Sequence, residues 1–424
     1  MSLNRRDFLK ITGTAAGAIA IGTLGSCTNT NQTAETDPVS RLSSMTGDVA
    51  PITLQEREQR IEKARRLMKE NDIDALFLDS GSSMFYYTGV CWGQSERMMA
   101  AVIPANGDIA YICPGFEEER LRELITIGND IRTWEEDESP AERVAQIFSD
   151  RGIRTGAVGM EERVRFFLYD GIRKAAPRLN YVSADPVTIP CRSIKSPAEI
   201  ALMQKAMDIT IEAYKVCVDA LHEGMSQNAF RDLSARAHSA LGATGRIGVQ
   251  FGQYTAFPHG SKEITYLKEG DMVLMDGGCK VEGYTSDISR TVVFGEPTQR
   301  QRDIWNLEKE AQAAGFAAAQ IGAPCEAIDA AALKVIVDAG FGPDYKVPGL
   351  PHRTGHGIGL DGHEWTYIVR GNKTPLAAGM CFSNEPMVAI YGEFGVRLED
   401  CIYMTDNGPV YFTEPSPAID RPFA

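Results

Sequence analysis

Asp276 and Asp287 lie 11 residues apart in DMVLMDGGCKVEGYTSDISRTVVFG, two β-like runs joined at Glu282-Gly283. Glu-Gly reads as a turn, and a hairpin centred between residues 281 and 282 sets the two aspartates opposite each other. Directly opposed Cβ atoms are about 4.5–5.5 Å apart across a ladder, where like charges repel. Two acids in that position call for a cation between them. The pattern recurs in SNEPMVAIYGEFGVRLEDC, where Glu385 and Glu399 are centred on Gly392. Between the hairpins lies HRTGHGIGLDGHE, holding His352, His356 and His363; with His259 these are four of the chain's six histidines. Carboxylates with imidazole suit Mn²⁺, Fe²⁺ or Co²⁺ better than a structural zinc, which prefers thiolates. A single strand-end Asp usually caps a turn, and a single His usually sits satisfied in a core. Two symmetric acid pairs around a histidine cluster have no such ordinary explanation.

Two domains supply the elements that must hold these groups. Residues 53–193 alternate helical and strand patterns, which implies a layered α/β domain. Glu56–Asn71 carries Ile61, Ala64, Leu67 and Met68 at helical spacing, and Ile73–Leu78 is an apolar run of strand length. Further strands are expected at Met99–Ile103, Ile109–Ile112 and Gly156–Met160, with a helix at Ala141–Arg151. No Gly-rich phosphate loop follows any of these strands, so a dinucleotide site has no support. Ser196-Pro197-Ala198-Glu199 restarts the pattern with an N-cap, a proline at the first helical position and an acid in the first turn. That helix should run to about His222, and a second should cover Ala229–Leu241. Past residue 245 strands dominate, broken by the helical patterns Trp305–Ala319 and Ile328–Ala339. The expected class is α+β, with residues 194–424 forming the catalytic domain behind the smaller α/β one.

Composition bounds the function. With 43% hydrophobic and 24% charged residues, 424 residues suit a soluble two-domain protein. Nine cysteines without any C-x-x-C exclude a disulfide scaffold and a structural zinc finger. The net charge is −14, and Arg5, Arg6 and Lys10 against Asp7 make residues 1–26 basic, so the remainder is more acidic still. Such a body repels a phosphate polyanion, which excludes nucleic acid.

NRRDFLK, then ITGTAAGAIAIGTLGS, then Cys27 form a charged start, a small-residue apolar stretch and a cysteine. Ile11–Ser26 is 16 residues, short of the roughly 20 that a spanning helix needs. Export fits this length, and a retained N-terminal anchor is the alternative. Arg5-Arg6 with Phe8-Leu9-Lys10 resembles a twin-arginine signal, and Leu24-Gly25-Ser26-Cys27 resembles a lipobox. The expectation is a bacterial cell-envelope or periplasmic lipoprotein, lipidated at Cys27 and touching membrane only through that lipid. Residues 27–52 are polar and rich in Ser, Thr and Asn, and read as a flexible tether.

In order and spacing, Asp276, Asp287, His356, Glu385 and Glu399 resemble the five metal ligands of the M24 metallopeptidases, the pita-bread enzymes. The resemblance covers residues 196–424, and the preceding domain is similar to that of creatinase, prolidase and aminopeptidase P. His352-x-x-x-His356-Gly-Ile-Gly-Leu, followed by His363-Glu364, resembles the proline-peptidase signature, with Gly362 in place of the usual Val or Ile. Pro258-His259, 17 residues before Asp276, matches the same branch.

The resemblance implies two divalent ions, foremost Mn²⁺, with Co²⁺, Fe²⁺ or Zn²⁺ as alternatives, and a bridging hydroxide that attacks the carbonyl before proline. Asp287 and Glu399 would bridge, Asp276 would complete one site, and His356 with Glu385 the other. Glu385 would carry the proton, His363 would stabilise the oxyanion, and His259 and His352 would contact substrate and leaving group. Arg397 would orient the carboxylates. The substrates would be Xaa-Pro dipeptides or short peptides with N-terminal Xaa-Pro, and the enzyme a homodimer. Dipeptidases of the family often carry Arg where this chain has Tyr367, so Arg370 is the expected cation for the substrate carboxylate. The alternatives are a lipid-tethered peptide-binding protein with a structural metal, or another M24 amidohydrolase. All five ligands argue against a creatinase, and the N-terminal domain and export signal argue against a methionine aminopeptidase.

Overall fold

Strand β1 (Ala75–Asp79) is buried at every position because both of its faces are covered. Leu76 and Leu78 enter one hydrophobic cluster and Ala75 and Phe77 another, as the two-residue period of a strand dictates. The structure is a computed structural model that describes residues 37–423. The export-signal residues 1–26, Cys27 and the first part of the tether lie outside the described residues. Beside β1 run β2 (Ala100–Pro104), β3 (Ala110–Pro114), β4 (Asp130–Trp134), β5 (Gly156–Met160) and β6 (Leu179–Ser183). Their order is β4-β3-β2-β1-β5-β6, a mixed sheet with parallel and antiparallel pairs. The two strands absent from the sequence reading, β4 and β6, are the sheet's edges. Half-exposed and carrying Asp130, Arg132 and Asn180, they lack an apolar run.

The catalytic domain opens on helix Pro197–Asp219, whose capping box joins Ser196 and Glu199 through reciprocal bonds of 3.2 and 2.9 Å. Helices Gln227–Ala240, Gln299–Ala318 and Glu326–Asp338 match the expected positions, with Gln299–Ala318 starting earlier than expected, at a Thr298/Gln301 capping box. One sheet holds β7 (Thr244–Phe251), β8 (Met272–Val281), β9 (Tyr284–Thr285) and β10 (Ile288–Val293). The other half holds β11 (Gly355–Gly357), β12 (Glu364–Ile368), β13 (Cys381–Asn384), β14 (Met387–Ile390), β15 (Phe394–Arg397), β16 (Asp400–Thr405) and β17 (Gly408–Tyr411). Strands β12-β11-β13-β16-β17 form a sheet and β14-β15 a separate pair. The arrangement is the expected one, a smaller α/β domain followed by an α+β domain.

Residues 37–52 differ from the expected flexible tether. Val39, Leu42, Met45 and Val49 pack on the core that includes helix Pro197–Asp219, and Met45 N–H donates to the Leu241 carbonyl at 2.9 Å. Arg41 pairs with Asp219 at 3.0 Å and Lys205 with Asp48 at 3.0 Å. Four dispersed apolar side chains suffice once a groove exists to receive them. No helix among the described residues is long and apolar enough to cross a membrane. All eight cysteines among them are free thiols.

Candidate metal centre

The first hairpin turns at Glu282-Gly283, where Glu282 has a φ of 49° and Gly283 one of 86°. Its centre lies one residue later than the spacing of the aspartates alone suggests. Asp276 therefore pairs with Ser289, and Asp287 follows diagonally, between β9 and β10. A two-residue displacement preserves the face, so both carboxylates still converge. Ser289 occupies the place opposite Asp276. Its hydroxyl lies 2.7 Å from Glu399 Oε2 and 3.1 Å from Asp276 Oδ1, and accepts from Arg397 Nε at 3.0 Å.

The second hairpin keeps the register read from sequence. Asn384 pairs with Asp400 and Met387 with Arg397, one continuous alignment across two sheets. Between those pairs the ladder is interrupted, and there Glu385 faces Glu399. The Glu399 N–H donates to the Ser289 carbonyl at 3.1 Å, which joins the two hairpins at their acids. His356 enters from the short strand β11. Its Nδ1 lies 3.2 Å from the Gly357 carbonyl and donates to it, which turns Nε2 towards the carboxylates. That Nε2 is 3.0 Å from Glu385 Oε1 and 3.9 Å from Asp287 Oδ2.

Four carboxylates in one enclosed space resist ionising together. Burial first, then the Asp276 charge, raises the Asp287 carboxyl above its ordinary range. Burial and the charges of Asp287 and Glu385 hold Glu399 well above it. Glu385 moves the other way: burial opposes ionisation, but His356 and Arg397 outweigh it and lower the value. His356 is raised against the effect of its burial by Glu385 and Asp287. Glu399 Oε1 is buried with no hydrogen-bond partner, which is costly for a carboxylate oxygen. Divalent cations fit this donor set. One ligand atom each from Asp276, Asp287 and Glu399, and from His356, Glu385 and Glu399, falls within 4.8 Å of the others. Glu399 belongs to both groups.

The remaining site residues sort clearly. Arg397 is 4% exposed, pairs with Asp276 at 2.5 Å, and reaches the Pro258 carbonyl at 3.2 Å. His363 stacks on His356 with ring centroids 3.7 Å apart and belongs to a third group with Asp287 and His356. Burial, then the neighbouring His356, pushes the His363 imidazole down to about 4, so it is neutral near pH 7. Arg353 Nη2 lies 3.2 Å from His363 Nδ1. An arginine only donates, so the ring proton of His363 is on Nε2, where it can be given to an oxygen. His352 bonds the Arg353 carbonyl through Nδ1 at 2.7 Å, while its buried Nε2 has no partner. His259 is exposed and lines a cavity together with Asp276.

Arg370 does not join them. Its guanidinium pairs with Asp344 at 2.7 Å on an exposed surface, 5.4 Å from the centre of the Tyr345 ring. Register explains the correction: β12 sets Tyr367 opposite His356, and the chain then turns away before residue 370. Arg353, by contrast, stands beside His363 and lies 4.2 Å above the Tyr367 ring. Sequence reasoning passed over it, and over Ser289, although Ser289 lies two residues from Asp287 and therefore on its face. It also missed a buried cluster behind His363. Glu364 accepts from Arg192 at 2.5 Å and Lys195 at 2.6 Å, and Arg192 also bonds Asp361 at 2.7 Å. This anchors the His363 loop to the segment between the domains.

Comparison with known proteins agrees with this geometry. Metallopeptidase family M24 matches residues 201–406, and the Creatinase/Prolidase N-terminal domain matches residues 60–194. An uncharacterised peptidase of Schizosaccharomyces pombe is 33% identical over 387 residues, covering 85% of this chain and 82% of the relative. An Xaa-Pro dipeptidase of Lactobacillus helveticus is 30% identical over 359 residues, covering 83% and 96%. The crystal structure of a prolidase from Thermococcus sibiricus superimposes with a TM-score of 0.78 at 28% identity, over 84% of this chain and 97% of that one. With both domains matched and the acids and histidine of its catalytic half gathered at one centre, the chain belongs to metallopeptidase family M24.

Proposed function

We propose that this metallopeptidase hydrolyses the bond before proline, in Xaa-Pro dipeptides or in short peptides that begin Xaa-Pro. The observation that carries the reading is the pair of ligand groups sharing Glu399, with the neutral, stacked His363 beside them. Asp276, Asp287 and Glu399 would hold one divalent ion, and His356, Glu385 and Glu399 a second, with Asp287 reaching towards both. Manganese suits the oxygen-rich set. When bound, the ions polarise the scissile carbonyl and lower the pKa of a water towards neutrality.

The chain's own residues do the rest. Glu385, ionised and 3.1 Å from the Ser383 hydroxyl, is placed to accept a proton from water and pass it to the proline nitrogen. His363 donates a hydrogen bond from Nε2 to the oxygen that becomes negative, a contact that strengthens in the transition state. His352 Nε2, without a partner in the protein, and His259 are available to the substrate. Arg397 pairs with Asp276 and keeps it aimed. A dipeptide carries an ammonium at one end and a carboxylate at the other. The carboxylate suits Arg353 over Tyr367, which supports dipeptides as substrates. We further propose that the enzyme is exported by the twin-arginine route, anchored by lipid at Cys27, and pairs as a homodimer. Release of proline from Xaa-Pro dipeptides and Xaa-Pro-Xaa tripeptides, with Mn²⁺ and with chelator, tests the catalytic part. Metal-dependent release supports it; peptide binding without turnover favours a binding protein with a structural metal.

A further inference from the structure

Beside Asp276 opens a cavity of about 460 Å³ whose wall carries Arg231, Arg246, Gln250 and His259. Arg246 and Gln250 belong to β7, and Arg231 to helix Gln227–Ala240 that packs on it. Neither arginine forms an ion pair among the described residues. Along β7, residues 246, 248 and 250 share a face, and Gly248 lies directly opposite Asp276. This glycine is not forced by backbone geometry, since its φ is not positive. Nor is it forced by crowding, because an added Cβ would meet only the Asp276 carbonyl, at 3.4 Å, an ordinary contact. What Gly248 does is keep the floor of the cavity open between Arg246 and Gln250, next to the metal-binding acid.

Among the described residues Asp276 is the single acid in that wall, and it is already engaged by Arg397 at 2.5 Å. The two arginines are therefore positive charges without an acidic partner in the wall beside Asp276. Were the proline carboxylate held at Arg353 and the scissile bond at the metal ligands, the residue before proline would lie on the Asp276 side, next to this cavity. We propose that the cavity selects an acidic residue there, so that the preferred substrates are Asp-Pro and Glu-Pro. This specificity rests on the proposed prolyl-bond hydrolysis. A carboxylate side chain would be received by two guanidiniums, with Gln250 and His259 offering further donors, while Lys or Arg at the same position would meet like charge.

The test is kcat/KM for Asp-Pro, Glu-Pro, Leu-Pro and Lys-Pro with Mn²⁺-loaded enzyme, compared between the wild type, Arg246→Glu and the double variant Arg231→Ala/Arg246→Ala. Metal content and thermal midpoint confirm that each variant is folded and loaded. Expected is a preference for the acidic dipeptides over Lys-Pro on the order of ten- to hundredfold, the range of a charged hydrogen bond. It should shrink as salt rises, because the arginines are partly solvated. The double variant should flatten the preference, and Arg246→Glu should reverse it towards Lys-Pro. Equal cleavage of Glu-Pro and Lys-Pro, or a preference unchanged in both variants, overturns the inference while leaving prolyl hydrolysis intact. If no dipeptide is cleaved, the catalytic reading fails. Calorimetric binding of Glu-Pro against Lys-Pro to the Mn²⁺-loaded protein then decides the inference separately, with tighter Glu-Pro binding supporting it and equal or weaker binding overturning it.

Discussion

Glu399→Gln should make the metal-free protein more stable and at the same time useless as an enzyme. Glu399 is 1% exposed, its Oε1 has no partner, and the carboxylates of Asp276 and Asp287 offer oxygens within 4.8 Å of its own. An unsatisfied buried polar group costs about 1–3 kcal/mol, more when charged. Gln keeps the shape, retains an oxygen for Ser289, and turns an amide towards acids that can accept from it. The expected gain is about 1–3 kcal/mol at neutral pH, at about 2–4 °C of thermal midpoint per kcal/mol for a domain of this size. The sign with pH follows from the raised Glu399 carboxyl. Its stabilising contribution is complete below its unfolded value, about 4.3, and is lost as pH rises through the higher folded value. The advantage of the variant should therefore be present at pH 7–8 and fade towards pH 4. Calorimetric unfolding of metal-stripped protein, with and without added Mn²⁺, is the assay. Wild type should gain about 2.7 kcal/mol at a hundred times Kd, and Glu399→Gln should gain far less. A variant that is less stable without metal, yet responds to Mn²⁺ as fully as wild type, would refute the reasoning.

Three other outcomes are expected. His363→Ala should retain its metal content and lose mainly kcat, since its Nε2 proton is used in the transition state; a variant with only a raised KM would reassign it to substrate positioning. Arg353→Ala should raise KM for dipeptides roughly ten- to hundredfold more than for longer peptides, whereas Arg370→Ala, which breaks only an exposed pair with Asp344, should affect both lengths alike; the reverse result would restore Arg370 as the carboxylate reader. Mass spectrometry of the mature protein should find a lipidated Cys27 at the N-terminus, and a Cys27→Ser variant should leave the membrane; an unmodified N-terminus elsewhere would contradict the export route.

What could be read in advance depended on how local the cause was. Glu385 and Glu399 face each other because a hairpin register is set by the turn, and Gly392 marks that turn in the sequence. The symmetry of Asp276 and Asp287 puts the centre of the first hairpin one residue too early. The left-handed Glu282-Gly283 pair sets the centre instead, and the gap so created is filled by Ser289. Parity saved the functional conclusion, since a two-residue slip leaves both acids on one face. Arg353 and Arg370 show the opposite limit. Sequence proximity to Tyr367 favoured Arg370, but the β11–β12 pairing brings Tyr367 back beside His356 and so under Arg353. Long-range partners such as Arg192, Lys195 and Glu364 leave no periodic trace, and neither do the four apolar residues that fasten segment 37–52.

The central claim is that two divalent ions held by Asp276, Asp287, His356, Glu385 and Glu399 drive hydrolysis before proline. The most direct measurement is titration of metal-stripped enzyme with Mn²⁺ while proline release from an Xaa-Pro dipeptide is followed and bound metal is counted. Activity should be absent in chelator, rise with bound metal and saturate at two ions per chain. Full proline release in chelator, or saturation with no metal bound to these residues, would contradict it.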